Sequence, residues 1–256
     1  MGKIIAIVNQ KGGVGKTTTA VNVASYVAFL GKKVLLVDMD PQANATAGLG
    51  INHKDLSQGI YEALISECGL PAIIIGEEHE RFHLAPSSPS LAGAHIDLVS
   101  MDRREFRLFD LLASIQNKYD YILIDCPPSL GLLTINCLVG ASELIIPVQA
   151  EYYALEGLSS LLETIALIQT NLKQELSILG VVITMYDKRI ALSDVVLREL
   201  YQYFPGKIFK SVIPRNVRLA EAPSYGVPIL NYDAGSKGAK AYERLAREIL
   251  DIHKSL

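Results

Sequence analysis

Short apolar runs alternate with helical patterns along most of this chain. Apolar runs predict buried strands at residues 3–8, 34–38, 121–125, 143–148 and 178–184, and weaker ones at 72–75, 82–85 and 207–212. Apolar residues at helical spacing predict helices at 16–30, 59–67, 90–99, 103–117, 131–139, 154–172, 191–203 and 238–253. We expect a loop that could hold a short helix over 41–58 and a loop over 213–229. Strands that alternate with helices form parallel sheets. We therefore expect an α/β fold, a doubly wound and mostly parallel sheet with helices on both faces.

Length and composition agree with one globular unit. Half of the 256 residues are apolar, which excludes a disordered protein and allows a sizeable core. No repeat or linker divides the chain, so we expect residues 1–256 to form a single domain. Three cysteines without a Cys-x-x-Cys pair are typical of a reducing cytoplasm. No apolar run reaches the length of a signal peptide or of a membrane span, so we expect a cytoplasmic protein with no membrane partner.

Charge is unevenly distributed along the chain. The net charge is −3, yet residues 207–256 contain nine Lys and Arg against five Asp and Glu. This excess predicts a positive face near the C-terminal end and favours an anionic partner. A solvated, charged helix would explain the same composition.

A glycine-rich stretch follows the first predicted strand and opens the first predicted helix. It reads Lys11-Gly12-Gly13-Val14-Gly15-Lys16-Thr17-Thr18. Glycines let successive backbone N–H groups turn toward an anion, and the helix N-terminus adds partial positive charge. Lys16 could reach terminal phosphates and Thr17 could hold Mg²⁺. The stretch departs from the pattern G-x-x-x-x-G-K-[ST], because Gln10 occupies the first glycine position, and it begins with a second lysine, Lys11.

Three aspartates follow predicted strands. Asp38 and Asp125 end buried runs, and Asp40 lies just beyond the first of these. Carboxyl ends of parallel strands meet at one edge of a sheet, so we expect these side chains near the glycine-rich stretch. Asp125 suits a metal-bound water and Asp40 could hydrogen-bond an attacking water. Helix or turn capping would explain either acid equally simply.

Lys11 has no obvious local use, because Lys16 already serves the phosphates of its own loop. It could reach the phosphates of a second subunit, as an arginine finger supplied in trans does. A solvated lysine is the simpler alternative.

The motifs are similar to those of a known family. Lys-Gly-Gly-Val-Gly-Lys-Thr resembles the deviant Walker A motif of the ParA/MinD ATPases. The chain as a whole resembles the Soj-like chromosome partition proteins of that superfamily, in four stretches that span most of its length: 9–19, 37–42, 148–157 and 213–224.

The resemblance implies a role for individual residues at the nucleotide. Lys11, Lys16 and Asp40 would be catalytic, with Lys11 crossing to the partner's ATP and Asp40 positioning water. Thr17 would ligate Mg²⁺ and Asp125 would hold it through water. ATP would contact residues of the loop and of the adenine pocket: Lys11, Gly12, Gly13, Val14, Gly15, Lys16, Thr17, Thr18, Pro214 and Asn216.

The resemblance also implies partners. ATP would close two subunits into a sandwich dimer, with Gly12 at the dimer contact. The dimer would bind double-stranded DNA without sequence preference, through Arg189 and Arg218, and associate with the nucleoid. A ParB-type protein would stimulate an otherwise weak ATP hydrolysis. Without the resemblance, each arginine would be assigned to a surface salt bridge.

Three other functions fit parts of the sequence. A MinD-type ATPase would bind membrane through the terminal helix, although core packing also explains its apolar spacing. An iron–sulfur reductase or carrier would need Cys126 and Cys137 to meet across a dimer, since Cys68 lies in a variable region. A DNA scaffold without turnover would have no use for Asp40. The stretch Glu151-Tyr152-Tyr153 has no chemical role that we can assign.

Overall fold

The computed structural model describes residues 2–77, 79–150, 156–187, 189 and 191–255. Within them, six parallel strands form one sheet in the order β3-β2-β4-β1-β5-β6. The strands are β1 Lys3–Ile7, β2 Val34–Asp38, β3 Phe82–Ala85, β4 Tyr121–Asp125, β5 Glu143–Gln149 and β6 Ser177–Thr184. The predicted parallel sheet is therefore confirmed.

Helices connect the strands. They are α1 Lys16–Phe29, α2 Asn44–Gly48, α3 Ile60–Leu64, α4 Leu70–Ile73, α5 Ala94–Asp97, α6 Arg107–Ala113, α7 Leu132–Gly140, α8 Glu156–Asn171, α9 Ala191–Tyr203, α10 Val217–Glu221, α11 Ile229–Asp233 and α12 Lys237–Lys254. Short 3-10 helices occupy Pro89–Gly93, Leu98–Ser100, Gln116–Lys118 and Ala222–Tyr225.

Side chains of the strands divide into two cores, because successive residues point to opposite faces. In β1, Ile4 and Ala6 join the core beneath α3 to α8, whereas Ile5 and Ile7 join the core beneath α1 and α12. Since helices cover both faces, β2 and β4 are buried along their whole length, and β1 and β5 are buried except at Lys3 and Gln149. This burial explains why the strands appear in the sequence as continuous apolar runs.

Two predicted strands are wrong. Residues 72–75 were expected to be extended because of their isoleucines, but Leu70–Ile73 is helical, with Gly69 as its N-cap and Pro71 in its first turn. Only Ile75 pairs with the sheet, antiparallel to Leu84. Proline is pre-organised for the first helical turn, and this local signal outweighs the β-branched residues.

The predicted strand at 207–212 reduces to a single bridge between Ile208 and Val181. The backbone N–H groups of Lys210 and Ser211 donate to the carboxylate of Glu248 instead of continuing the ladder.

Three other predicted segments differ in detail from the structure, and part of a fourth lies outside the described residues. The segment 213–229, expected to be a loop, contains α10 and a 3-10 helix, and the helices expected at 90–99 and 103–117 are broken into shorter pieces. The start of the helix expected at 154–172 lies outside the described residues, as does Glu151-Tyr152-Tyr153.

Candidate nucleotide-binding site

The glycine-rich loop lies at the carboxyl end of β1 and leads directly into α1. Gly13 has φ 74° and Gly15 has φ 89°, a left-handed backbone that favours glycine. Asn9 fixes the start of the loop: its Nδ2 donates to the carbonyl of Pro147 at 2.7 Å, and its Oδ1 accepts the N–H of Lys11 at 2.9 Å. The loop is therefore held in shape by β5 as well as by its own sequence.

Lys16 lies inside this loop. It is the first residue of α1, is only 7% exposed, and its Nζ donates to the carbonyl of Lys11 at 3.1 Å. Burial lowers the pKa of Lys16, while the nearby Asp125, Cys126 and Asp40 act in the opposite direction. A buried ammonium beside backbone N–H groups at a helix N-terminus, where Thr17 and Thr18 follow, provides a site for an anion.

Asp38 and Asp125 end adjacent strands and are register partners, both fully buried. The carboxylate of Asp38 accepts three hydrogen bonds, from the N–H and hydroxyl of Thr46 at 2.9 and 2.7 Å and from the N–H of Asp40 at 3.2 Å. Burial raises the pKa of Asp38 to about 6 in spite of these bonds. Asp38 therefore holds the loop that follows β2.

Asp125 lacks such partners. Neither of its carboxylate oxygens has a hydrogen bond among the described residues. Burial and the neighbouring Asp38 raise its pKa well above the ordinary value, and the nearby Thr17 hydroxyl and Lys16 oppose this only in part. The Thr17 hydroxyl is thus close enough to favour the charged form, although its geometry falls short of a hydrogen bond. An unsatisfied carboxylate beside a hydroxyl suits a hydrated cation.

The predicted metal site is compatible with Mg²⁺ rather than with a metal held by protein ligands alone. The described residues contain no group of three or more Cys, His, Asp or Glu side chains arranged to hold a metal. Mg²⁺ in nucleotide sites usually keeps several waters and takes one or two protein oxygens together with phosphate oxygens. Thr17 would supply the protein oxygen, and Asp125 would hold one of the waters.

Asp40 lies on the same edge of the sheet, 6% exposed. Its Oδ1 accepts the N–H of Gln42 at 3.0 Å, and its carbonyl accepts the hydroxyl of Ser87 at 2.7 Å. The turn-capping contact considered from sequence is therefore present. It occupies one carboxylate oxygen and fixes the position of the side chain near Lys16.

A cavity of about 290 Å³ opens beside the loop. Pro214 and Asn216, the residues predicted for an adenine pocket, both line it, together with Gly15, Thr18, Thr184, Met185, Ile213, Arg215, Leu219, Ala220 and Tyr242. The side chain of Asn216 caps α10 by accepting the N–H of Arg218 at 3.0 Å. Size, apolar walls and closeness to the loop fit a nucleobase.

Arg189 and Arg218, predicted to contact DNA, are both exposed and both form local ion pairs. Arg189 pairs with Asp187 at 2.6 Å, and its side chain is 88% exposed. Arg218 pairs with Glu221 at 2.9 Å and lies 3.5 Å from Asp233. Pairs this exposed contribute little to stability, so both guanidinium groups remain available to a phosphate.

Several residues that shape the site escaped sequence reasoning. The hydroxyl of Thr184 donates to the carbonyl of Val14 at 2.8 Å, and the Tyr242 hydroxyl lies 3.1 Å from that of Thr19. Asn22 donates to the carbonyl of Thr18 at 2.7 Å and accepts the N–H of Ile229 at 2.8 Å. No local signal could reveal them, because most of their partners lie far away in sequence.

The cysteines do not form a cluster site. Cys126 and Cys137 are fully buried in the core, and Cys68 is half-buried elsewhere. Burial and the contact with Cys137 raise the pKa of the Cys126 thiol well above its ordinary value. Buried neutral thiols cannot ligate iron across a subunit boundary. The iron–sulfur alternative therefore has no support in the described residues.

The terminal helix α12 places its apolar face in the core, against α1. Its buried residues include Tyr242, Leu245, Ala246 and Ile249. This face is unavailable for membrane binding, so core packing is the correct explanation of its spacing. Among the helices of the described chain, none combines the length and apolarity that crossing a bilayer requires.

The fold and this site define the class: a P-loop nucleotide-binding domain. Residues 2–178 match the AAA domain family. The chain is 54% identical to the sporulation initiation inhibitor protein Soj of Bacillus subtilis (strain 168), over 97% of this chain and 98% of that protein. It is 48% identical to the chromosome partitioning protein ParA of Myxococcus xanthus (strain DK1622), over 98% and 88%.

A solved structure agrees with these relatives. Cobyrinic acid a,c-diamide synthase from Mycobacterium smegmatis, with bound ATP analog and magnesium, superposes with a TM-score of 0.88 at 34% identity, covering 100% of this chain and 97% of that one. The chain belongs to the ParA/Soj family of chromosome-partitioning ATPases. The resemblance predicted from four sequence stretches is confirmed.

Proposed function

We propose that this chain hydrolyses ATP with Mg²⁺, forms an ATP-dependent sandwich dimer and binds DNA without sequence preference. A ParB-type protein bound at centromere-like sites stimulates the weak basal hydrolysis, and this cycle drives partitioning. The protein acts as one domain, in the cytoplasm and on the nucleoid when ATP is bound. The observation that carries the proposal is the buried Lys16 beside the unpaired carboxylate of Asp125.

At the nucleotide, each group has a separate task. Lys16 and the N–H groups of the loop bind phosphate, while Thr17 and a water on Asp125 hold Mg²⁺. When bound, Mg²⁺ neutralises charge on the phosphate oxygens. Pro214 and Asn216 hold the base. The ATP analog and magnesium in the related synthase support this use of the loop.

Asp40 positions the attacking water. Its fixed place beside the loop supports this role, and the contact with Gln42 supplies a control, because asparagine keeps the Oδ1 acceptor. We expect Asp40→Ala and Asp40→Asn to bind ATP normally but to lose at least ~100-fold in ATPase rate with DNA and ParB present. Steady-state phosphate release measures the rate.

The paired variants separate chemistry from structure. Asp40→Asn should unfold at the temperature of the wild type, since the turn contact survives, whereas Asp40→Ala removes it. An Asp40→Asn protein that hydrolyses ATP as fast as the wild type would falsify the role of Asp40 and leave only turn capping.

Dimerisation rests on Lys11 and Gly12. A Cβ added to Gly12 would meet nothing within 4 Å, and Gly12 is absent from the residues with positive φ. Nothing within one described subunit therefore requires glycine there, which supports a constraint from a second subunit that approaches closely. Lys11 adjoins this position and would reach the partner's phosphates.

Lys11→Ala tests the contribution in trans. We expect the variant to retain ATP binding, since Lys16 and the loop remain, but to stay monomeric with ATP in multi-angle light scattering. Lys54→Ala, at an exposed lysine outside the loop, is the control and should dimerise. A Lys11→Ala dimer of normal stability would exclude the role in trans while leaving nucleotide binding intact.

DNA binding is supported by the exposed Arg189 and Arg218 and by the positive excess near the C-terminal end. Contacts to phosphate carry no sequence information. Binding of this kind depends on the local patch rather than on the net charge of −3, because affinity follows the number of counterions released.

A further inference from the structure

A large cavity in the described part of the chain has no place in the proposed ATP cycle. It is a groove of about 640 Å³ between α12 and the segment 206–210, beside the first half of β6. The glycine-rich loop contacts the opposite end of this strand, at Thr184. The groove therefore lies away from the nucleotide and can be filled independently of it.

Apolar side chains form the floor of the groove. Leu179 and Phe209 are almost fully buried, and Ile252 is half-buried. A Cβ at Gly180 would come within 2.6 Å of the Phe209 ring, so the ring can lie against β6 only because residue 180 is glycine. The floor is thus a defined part of the fold rather than an accidental gap.

The rim of the groove is cationic. Lys207, Lys210, Arg244 and Arg247 surround it, and of these only Arg247 forms an ion pair among the described residues, with Glu243 at 2.8 Å. Lys207 forms no ion pair but lies near enough to Glu143 to lower the pKa of that carboxylate.

The two acids of the rim are already engaged. Glu248 accepts the backbone N–H groups of Lys210 and Ser211 at 2.7 and 3.0 Å. Asp251 pairs with Lys254 at 3.0 Å. The groove therefore combines an apolar floor with unpaired positive charge.

We propose that this groove binds a short acidic peptide segment with apolar side chains, supplied by a partner protein. Carboxylates would pair with Lys207, Lys210 and Arg244 while an apolar side chain covers Phe209 and Ile252. Charge pairs next to a low-dielectric floor are stronger than in open water, and complementary charge accelerates encounter. The positive excess of residues 207–256 thus has a second use besides DNA.

Other anionic partners fit the groove less well. Duplex DNA offers phosphates, which need cations but have no use for a recessed apolar floor. A membrane surface would require apolar side chains that protrude, whereas these are recessed. The groove also lies apart from the predicted DNA contacts. It flanks the first half of β6, whereas Arg189 and Arg218 lie beyond the carboxyl end of that strand.

The test uses the full chain without nucleotide. An array of fluorescein-labelled peptides of about twelve residues, built from Asp, Glu, Leu and Phe, is titrated by fluorescence anisotropy. Two control arrays replace the acids by Asn and Gln, or replace Leu and Phe by Ser. We expect saturable binding of members of the first array, and at least ~10-fold weaker binding in both controls.

Two variants locate the binding. Lys207→Glu/Lys210→Glu and, separately, Ile252→Gln should each lower the affinity for the acidic peptides by ~10-fold or more. Lys54→Glu/Lys118→Glu makes the same charge change on exposed lysines elsewhere and should bind like the wild type. Nucleotide binding should be unchanged in all variants, which makes a failure of the groove distinguishable from a failure of the ATP site.

Three results would overturn the proposal. The first is no saturable binding of any acidic, apolar peptide. The second is equal binding by the two lysine double variants. The third is unchanged peptide binding when Lys207→Glu/Lys210→Glu abolishes binding of duplex DNA or of phosphatidylglycerol vesicles, which would assign the groove to those partners instead.

Discussion

Asp38 and Asp125 occupy equivalent positions on adjacent strands, yet their surroundings differ. Asp38 accepts three hydrogen bonds, and Asp125 accepts none among the described residues. A buried carboxylate without partners is destabilising, whereas a hydrogen-bonded one contributes to the folded state. The contacts of Asp38 are those of a structural acid, and the lack of such contacts at Asp125 supports its proposed role at the metal.

We expect Asp125→Asn to raise the free energy of unfolding by about 1 kcal/mol without ligands, because it removes an unpaired buried acid. Asp38→Asn is the matched change and should lower it by about 1–3 kcal/mol. Thermal unfolding without nucleotide and Mg²⁺ measures both.

Although Asp125→Asn should stabilise the fold, it should impair the binding of ATP with Mg²⁺. Asp125→Asn should bind ATP with Mg²⁺ at least ~10-fold more weakly than the wild type, with little change when Mg²⁺ is absent. A destabilised Asp125→Asn protein that binds Mg²⁺ and ATP normally would contradict the assignment of this acid to the metal.

Local spacing was sufficient to predict the loop residues from Lys11 to Thr18, because a strand, glycines and a helix start in order define a phosphate loop. The closeness of Asp38 and Asp125 was also predictable, because both end parallel strands and such ends meet at one edge of the sheet. Asn9 and Thr184 could not be predicted, since their contacts with Pro147 and Val14 depend on the packing of distant strands. Sequence patterns therefore identify the residues that carry the chemistry better than the residues that hold the loop in place.

At the scale of elements, buried strands were predicted reliably because both faces of the sheet are covered and the runs are continuous. The two edge strands, β3 and β6, also lie where they were predicted, but the further strands expected beside them did not form. Residues 72 and 73 belong to the helix Leu70–Ile73, and the N–H groups of Lys210 and Ser211 bond to Glu248, a residue of α12, instead of continuing a ladder. Apolar runs reveal burial but cannot reveal a competing hydrogen-bond partner from another element.

The last turn of α12 is attached to the sheet by a buried hydrogen-bonded chain. His253 Nε2 lies 2.9 Å from Glu143 Oε2, and its Nδ1 lies 2.9 Å from the Tyr121 hydroxyl. Burial alone would raise the pKa of Glu143, but the hydrogen bond from His253, with Lys3 and Lys207 nearby, brings the pKa below the ordinary value. The ionised carboxylate therefore stabilises the docked helix.

We expect Glu143→Gln to lower the free energy of unfolding by about 1 kcal/mol at neutral pH. A lowered pKa means that this contribution is complete above the ordinary pKa of 4.5 and is lost as pH falls through the folded-state value. The difference between variant and wild type should thus shrink in acid, as measured by urea unfolding across pH.

Glu243→Gln, a change on α12 itself, provides the control. Its carboxylate pairs with Arg247 near the surface, so the change should have little effect at any pH. An equal loss of stability in both variants, or a Glu143→Gln effect that grows in acid, would contradict the proposed attachment.

At the scale of the whole molecule, the core beneath α1 and α12 holds these two helices together on one face of the sheet, and α10 and α11 join the same side. Asn22 connects the loop to this side by bonding Thr18 and Ile229. Arg218 therefore lies on a segment that is hydrogen-bonded to the helix carrying the nucleotide site.

If these arginines contact phosphates, Arg189→Glu and Arg218→Glu should lower the affinity of the ATP-bound protein for every duplex by a similar factor. The slope of log affinity against log salt should fall by about one for each phosphate that the variant no longer neutralises. Fluorescence anisotropy on duplexes of unrelated sequence, at several salt concentrations, measures both quantities. Arg103→Glu is the matched control, because Arg103 is exposed and pairs with Asp110 at 2.9 Å.

Arg103→Glu and Arg189→Glu each break one exposed ion pair and Arg218→Glu breaks two, so stability should change by less than about 1 kcal/mol per pair. A general loss of folding would therefore appear in Arg103→Glu as well. Loss of affinity for one sequence only would indicate direct base contacts, since phosphate contacts weaken all duplexes alike. That result would place Arg189 or Arg218 in a groove of the DNA and contradict a partitioning surface without sequence preference.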